Sequence, residues 1–280
     1  MNIQNAIEKA NQLLKKNNIK SAMLDSEILM SKVIKKDRKY VILNLDKKLK
    51  RKDLLKFDNL VINRSSGKPI AYLIGEKDFW KYNFVVNEKT LIPRPDTEII
   101  IENILKLTKL KSRLNILDIG IGSGCVLLSV LKEKKDFHGT GIDISKNCID
   151  ISKINALKLN LSNRVKFFKS DVDNFFYGKY DLIISNPPYI KKLDLKNLDK
   201  DIINFEPKIA LDGGLDGISE IRKVINRSSD LIKRNGKLVL EIAFDQKHKV
   251  KKLLKNKGFY INKIIKDYAK NDRCIISTKI

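Results

Sequence analysis

The chain alternates short apolar runs typical of buried strands with amphipathic segments typical of helices, from about residue 114 to residue 279. Such alternation indicates an α/β fold, in which a mostly parallel sheet carries helices on both faces. The last two strands are joined by too few residues for a crossover helix, so we expect a hairpin and one antiparallel strand. The predicted strands are 114–119, 138–143, 164–169, 181–185, 237–243, 260–266 and 273–279, and the predicted helices are 124–134, 145–159, 217–234 and 246–257.

Residues 1–70 have a different pattern and are predicted to form a small helical domain. Apolar residues recur at helical spacing in Ser21–Met30 and in Asp53–Ile62, without the alternation of a strand. The glycine and proline at 67 and 69 then mark a break.

Residues 71–93 are predicted to be a hinge with a short β-hairpin, followed by the α/β domain at 94–280. Aromatic and β-branched residues alternate with polar ones in Phe79–Val86, as in a strand. A proline-rich lead-in follows, and Asp96 or Thr97 is placed to cap the next helix.

The formal net charge of +24 favours contact with a polyanion, but only weakly. Only 10 of the 57 basic residues are arginine, the residue that reads bases through bidentate contacts. The lysines are spread over the whole length rather than gathered in one segment. We therefore expect at most weak contact with RNA or the ribosome through a basic surface.

The remaining composition indicates a cytoplasmic protein without a metal. The three cysteines are far apart in sequence and the two histidines have no nearby partner ligands. No stretch reaches the length of a membrane span, and the first residues do not have the layout of a signal peptide. We expect a reduced, cytosolic, metal-free protein with no membrane partner.

The segment Asn186-Pro187-Pro188-Tyr189 follows the predicted strand 181–185, at the sheet edge where open α/β sheets bind ligands. The prolines stiffen the turn and lack N–H groups, so the turn is rich in acceptors, namely the Asn186 side-chain oxygen and the Asn186 and Pro187 carbonyls. A planar –NH2 group brings two donors and fits two such acceptors, and Tyr189 offers a flat face. An ordinary turn is the alternative, because proline and asparagine are common in turns.

A glycine-rich loop follows the first strand of the α/β region and indicates a second binding element. The spacing of Gly120, Gly122 and Gly124 is G-x-G-x-G rather than the G-x-G-x-x-G of dinucleotide-binding folds. Such a loop lets a ligand approach the backbone at the start of a helix.

Acidic residues at the ends of the next two strands complete the pattern of an adenosine-type cofactor site. Asp143 is placed to accept from ribose hydroxyls. Asp171 is placed to accept from an adenine amine, with the Val172 backbone at the ring edge. The predicted cofactor-binding residues are Gly120, Ile121, Gly122, Ser123, Gly124, Asp143, Asp171, Val172 and Asn186.

Together these motifs resemble the class I S-adenosylmethionine-dependent methyltransferases, among which the Asn-Pro-Pro-Tyr turn marks enzymes that methylate planar amines and amides. Three further segments, Pro69–Trp80, Ile92–Glu98 and Glu206–Gly217, resemble segments of the release factor glutamine methyltransferases. The resemblance covers the whole chain. It implies a Rossmann-like seven-stranded methyltransferase sheet with one antiparallel strand, and a helical N-terminal domain that recognises the substrate.

The resemblance also implies the reaction, which is methyl transfer from S-adenosylmethionine to the glutamine amide in the Gly-Gly-Gln loop of peptide chain release factors. Catalytic roles fall on Asn186, Pro187 and Tyr189, and substrate contacts on these residues, Pro188 and Arg94. For Arg94, help in closing the site and a structural salt bridge are both open. Glu206 and Glu241 are expected to be structural.

The sequence departs from the family pattern at two cofactor positions, and it leaves other functions open. Ile121 replaces a usual threonine, and Val172 stands where an aromatic residue is common. Loss of that aromatic is expected to weaken adenine stacking by roughly 1–3 kcal/mol. The alternatives are a ribosomal-protein glutamine methyltransferase, a nucleic-acid adenine methyltransferase, and a non-catalytic RNA-binding protein with this fold.

Overall fold

The computed structural model describes all 280 residues, which divide into two compact units. The first unit comprises Met1–Glu76 and Asp199–Phe205, and the second comprises Lys77–Leu198 and Glu206–Ile280. Residues 199–205, which sequence reasoning placed with the α/β domain, therefore belong to the helical unit.

The helices lie in both units. None of them is both long and apolar enough to cross a membrane. Helices α1 to α11 span Ile3–Lys16, Ala22–Ile34, Arg38–Leu43, Arg51–Ser65, Ile70–Ile74, Glu98–Leu107, Cys125–Glu133, Lys146–Lys158, Lys200–Phe205, Ser219–Leu231 and Lys247–Asn256.

The helical unit packs an apolar core around one buried ion pair. The Arg64 Nε of α4 lies 2.7 Å from Asp25 Oδ2 of α2, and both side chains are almost fully buried. The Arg64 Nη1 also reaches Asp201 Oδ2 of α9 at 3.2 Å. The Arg64 guanidinium therefore joins α9 to α2 and α4 within the helical unit.

The strands form a two-stranded hairpin and, within the second unit, a seven-stranded sheet. Strands β1 to β9 span Glu76–Phe79, Tyr82–Val85, Asn115–Ile119, His138–Asp143, Val165–Lys169, Tyr180–Ser185, Ile232–Glu241, Phe259–Lys266 and Asp272–Lys279. In the large sheet the strand order is β5-β4-β3-β6-β7-β9-β8, and β9 runs antiparallel to both of its neighbours. The predicted α/β fold with one antiparallel strand and a closing hairpin is confirmed.

The order of the strands places a ligand-binding edge between β3 and β6. Strand β3 pairs with β4 on one side and with β6 on the other, with Ile119 opposite Ile142 and Ser185. The carboxyl ends of β3, β4 and β6 therefore meet at the point where the sheet changes its winding direction. This is the point at which open α/β sheets bind ligands.

Both faces of the sheet are covered by helices. Leu127 of α7 and Ile104 of α6 are fully buried on one face, and Ile221 of α10 and Leu254 of α11 are fully buried on the other. Each such side chain contributes about 1.5–3 kcal/mol of burial free energy, which fixes the sheet edge that carries the site.

Strand β7 begins earlier than its predicted start at 237. The helix predicted over 217–234 ends at Leu231, and the chain is already extended at Ile232, which pairs with Tyr180. Both side chains are buried. The apolar periodicity of the helix continues through Ile232, so the sequence pattern carried the helix too far.

Candidate active site

A cavity of about 560 Å³ opens at the carboxyl ends of β3, β4, β5 and β6. It lies entirely within the second unit, and the proline-rich segment before α6 forms another part of its wall. Of the predicted site residues, Gly124 and Tyr189 are not on the wall. Those on the wall are Arg94, Gly120, Ile121, Gly122, Ser123, Asp143, Asp171, Val172, Asn186, Pro187 and Pro188.

The glycine loop after β3 is built from backbone conformations that favour glycine. Gly120, Gly122 and Gly124 have φ values of +76°, +57° and +81°. A Cβ on Gly120 or Gly122 would meet no atom within 4 Å, so the loop faces open space at these two positions. A Cβ on Gly124 would lie 2.9 Å from Leu128 Cδ1, so this glycine is required for close packing against α7.

Asp143 fixes the glycine loop from the end of β4. Its Oδ2 accepts a hydrogen bond from the Gly122 N–H at 3.0 Å, and its Oδ1 accepts from the Ser145 N–H at 2.9 Å. Burial raises the pKa of Asp143 above its usual value. Each carboxylate oxygen has a further lone pair, so Asp143 retains acceptor capacity toward the cavity.

Asp118 is a wall residue that sequence reasoning missed. It lies near the end of β3 and is 4% exposed. Burial, and next the neighbouring charge of Asp143, raise the pKa of Asp118 to about 7. An acidic residue inside an otherwise apolar strand was the available signal.

Asp171 and Val172 lie just after the end of β5, the third strand of the α/β region, as predicted. Asp171 Oδ1 accepts from the Asp173 N–H at 2.9 Å and so caps a short 3-10 helix. The Val172 side chain packs against the apolar core on the α10 side of the sheet, and its carbonyl accepts from Arg227 Nε at 3.1 Å.

The Asn186 side chain is linked through a hydroxyl to a buried carboxylate. Asn186 Nδ2 donates to Thr97 Oγ1 at 3.3 Å, and the Thr97 hydroxyl donates to Glu241 Oε2 at 2.8 Å. Thr97 lies just before α6, and Glu241 ends β7. Neither was predicted as a site residue, although Thr97 was predicted as a possible cap.

Tyr189 lies differently from the prediction that its ring faces the substrate. The ring packs against the apolar core shared with α10 and α11, and the hydroxyl donates to Glu241 Oε1 at 3.3 Å. Burial, and next the charge of Glu241, raise the pKa of Tyr189. The ring can stay in the core because its hydroxyl still finds an acceptor there, the Glu241 carboxylate.

Glu241 is the centre of this network and is 2% exposed. Burial raises the pKa of its carboxyl to about 7, against the opposing effects of the Thr97 hydrogen bond and the positive charge of Arg273. Arg273 is itself held by Asp267, with 2.9 Å between Nη2 and Oδ2. The predicted structural role of Glu241 therefore takes the form of two hydrogen bonds, to Thr97 and to Tyr189.

Arg94 is at once a wall residue and half of an ion pair. Its Nη2 lies 2.5 Å from Glu206 Oε1, and Glu206 is 5% exposed. Glu206 Oε2 also accepts from the Ile92 N–H at 3.4 Å. The pair joins two segments that contribute to the cavity wall, the proline-rich segment and the segment 206–210.

Two family models match the chain, one in its N-terminal part and one in the α/β domain. The PrmC N-terminal domain matches residues 5–75, and the methyltransferase small domain matches residues 95–263. A release factor glutamine methyltransferase of Buchnera aphidicola (subspecies Schizaphis graminum) is 39% identical over 100% of both chains. The chain belongs to the release factor glutamine methyltransferase family. Another member, from Clostridium acetobutylicum, is 36% identical over 100% of this chain and 99% of its own length.

Solved structures agree with this family membership at the level of the fold. A methyltransferase from Pyrococcus furiosus matches with a TM-score of 0.54 at 18% identity, over 79% of this chain and 97% of its own. A ribosomal protein L11 methylase from Lactobacillus delbrueckii subsp. bulgaricus matches with a TM-score of 0.51 at 16% identity, over 73% and 90%. The methyltransferase fold that the sequence indicated is thus confirmed, and the full-length relatives confirm the family resemblance.

Proposed function

We propose that this chain transfers a methyl group from S-adenosylmethionine to the side-chain amide nitrogen of a glutamine in peptide chain release factors. The observation that carries the proposal is the placement of Asn186, Pro187 and Pro188 on the same cavity wall as the glycine loop. One cavity thus offers an acceptor-rich turn for an amide and an anchored loop for a cofactor. Full-length similarity to proteins named for this activity supports the choice of substrate.

The residues of the cavity fit S-adenosylmethionine. The volume of about 560 Å³ lies within the range of small-molecule sites. The open faces of Gly120 and Gly122 leave room for the ligand, and Asp143 has acceptor capacity for ribose hydroxyls. Asp171 is suited to an adenine amine. When bound, the cofactor supplies a methyl group made electrophilic by a positively charged sulfur.

The turn after β6 would orient the substrate amide. An amide nitrogen is a poor nucleophile because its lone pair is delocalised, so the enzyme must hold it in place. Asn186 Oδ1 and the Pro187 carbonyl are the acceptors for its two N–H groups. Positioning of this kind supplies up to roughly 7–11 kcal/mol. The same acceptors stabilise positive charge that develops on the nitrogen.

Arg94 and Tyr189 would act at the edges of this arrangement. Arg94, paired with Glu206, holds the wall segments together and is itself part of the cavity wall. Tyr189 holds the turn by burying its ring in the core and placing its hydroxyl on Glu241. Its contribution is therefore to the shape of the turn that follows Asn186.

The helical unit would bind the protein substrate. Leu43, Leu55 and Ile62 are 70%, 63% and 60% exposed there, which offers apolar area to a partner. Replacing each of them with serine should raise the KM for a release factor and leave the affinity for S-adenosylmethionine unchanged. An unaltered KM in the triple variant would exclude these positions as the docking surface.

The test of the function is methyl transfer from labelled S-adenosylmethionine. The acceptors are a bacterial release factor, its variant with alanine for the loop glutamine, ribosomal proteins, and duplex DNA. Label on the wild-type factor alone is the expected result. Label on a ribosomal protein or on DNA, with the release factor unlabelled, would overturn the proposed substrate while leaving the cofactor assignment in place.

A further inference from the structure

Three side chains that are distant in sequence form one hydrogen-bonded chain behind the acceptor turn. Asn186, Thr97 and Glu241 come from the end of β6, the start of α6 and the end of β7. The two links measure 3.3 Å and 2.8 Å. Thr97 is 3% exposed and Glu241 2% exposed. Thr97 and Asn186 both lie on the cavity wall, and Glu241 lies behind them.

The direction of these hydrogen bonds is set by the carboxylate. When Glu241 is ionised, as it is above a pH of about 7, its carboxylate has acceptors only, so the single hydroxyl hydrogen of Thr97 is donated to it. The Thr97 oxygen can then only accept from Asn186. Consequently the Asn186 carboxamide must turn its nitrogen toward Thr97 and leave its oxygen free.

We propose that Thr97 and Glu241 are positioning residues that orient the Asn186 carboxamide so that its oxygen faces the substrate amide. This inference rests on the proposed function. A flipped Asn186 would present its own –NH2 to the substrate –NH2, and two donors would then face each other. A carboxamide in a turn has no intrinsic preference between the two orientations, so the selection must come from its neighbours.

The carboxylate is in turn held from a second side. The Tyr189 hydroxyl donates to the other oxygen of Glu241 at 3.3 Å, and the Arg273 Nη1 lies 3.5 Å from that hydroxyl. Both carboxylate oxygens are therefore engaged by donors. These contacts leave the Glu241 carboxylate little freedom to rotate away from Thr97. The orientation of the Asn186 carboxamide is therefore set by two side chains, Glu241 and Thr97, that are themselves held in place.

The test compares the kcat and KM of variants for methyl transfer to a release factor, at about pH 8 where Glu241 is mostly ionised. Thr97→Val keeps the shape of the side chain but removes the hydroxyl, and Thr97→Ser retains it. Thr108→Val is the matched control, because Thr108 is also buried and its hydroxyl donates to the Ile104 carbonyl at 2.8 Å, outside the cavity wall. We expect kcat to fall about tenfold to a hundredfold in Thr97→Val, less than for loss of a direct transition-state contact. The KM for S-adenosylmethionine should not change, and Thr97→Ser should recover most of the rate.

A double-mutant cycle separates positioning from a merely structural role. If Thr97 acts through Asn186, adding Thr97→Val to Asn186→Ala should lower kcat by less than about twofold. Multiplication of the two single losses would overturn the proposal. If Thr97→Val does not fold, the cycle is run with Glu241→Gln, whose amide can donate to Thr97 and so permit the flip.

A wild-type enzyme that leaves the release factor unlabelled but labels another acceptor would refute the proposed function alone. The cycle is then measured on that acceptor, so the two failures remain distinguishable. Equal rates for wild type and Thr97→Val on the acceptor that is labelled would refute the positioning role.

Discussion

Replacing Glu241 with glutamine is expected to make the second unit more stable relative to wild type as the pH rises. The carboxyl of Glu241 is fully buried, and burial raises its pKa to about 7 from the usual 4.5. In the folded chain it therefore keeps its proton between these pH values, whereas in the unfolded chain it loses it. Stability from Glu241 is fully present below about pH 4.5 and is lost as the pH rises through 7.

The size of the effect follows from the interval between the two pKa values. Each pH unit in this interval changes the free energy of unfolding by about 1.36 kcal/mol, so the loss is about 3 kcal/mol in total. The glutamine variant has no such titration. The free energy difference between variant and wild type should thus shift by about 3 kcal/mol in favour of the variant between pH 4.5 and 8. Asp118 also titrates at about 7 but is present in both proteins, so it cancels.

Urea unfolding followed by tryptophan fluorescence measures this quantity. Trp80 is the only tryptophan and lies in the same unit as Glu241, so its emission reports the unfolding of that unit. Glu8→Gln, at an exposed glutamate outside the second unit, serves as the control for the loss of a carboxylate elsewhere in the chain. A difference between Glu241→Gln and wild type that stays constant from pH 4.5 to 8 would refute the reasoning.

Three further outcomes are expected. Asn186→Ala should lower kcat by about a hundredfold or more, by analogy with the loss of one oxyanion-hole contact, and should change the Kd for S-adenosylmethionine less; near-normal turnover would exclude its assigned role. Gly124→Ala should lower the free energy of unfolding, measured with urea, by about 1–3 kcal/mol because of the positive φ, and further because of the contact with Leu128. The loss should exceed that of Gly258→Ala, where the nearest neighbour is the flexible end of a lysine. Asn155→Leu should lower the free energy of unfolding by about 3–5 kcal/mol, because the buried Asn155 side chain accepts from the Val85 N–H and donates to two backbone carbonyls. A loss under about 1 kcal/mol in the same assay would show that these backbone groups find other partners.

The sequence pattern was sufficient to predict the sheet edge and the loops that line it. Gly120 and Asn186 directly follow β3 and β6, and Asp143 ends β4. Because parallel strands end at one edge of the sheet, the proximity of these residues required no knowledge of packing. Local turn chemistry also predicted acceptor groups in the turn after β6. These features depend on neighbours along the chain or on strand order.

What the sequence could not supply depends on contacts between distant segments. The Thr97–Glu241 hydrogen bond joins residues 144 apart, and no periodicity or turn rule brings them together. The burial of the Tyr189 ring depends on its packing against the apolar core shared with α10 and α11. Asp118 could be singled out as an acidic residue in an apolar strand, but its place on the cavity wall depends on segments that are distant in sequence.

The return of Asp199–Phe205 to the helical unit has a consequence for engineering. The chain passes between the two units three times, at 76/77, at 198/199 and at 205/206. A truncation that removes residues 1–70 would therefore leave α9 without most of the unit to which it belongs, including its contact with Arg64. The exposed segment would end at Phe205, directly before Glu206. A chimera in which one relative donates the helical unit to another must carry two inserts, since a single cut near residue 76 separates the two parts of this compact unit.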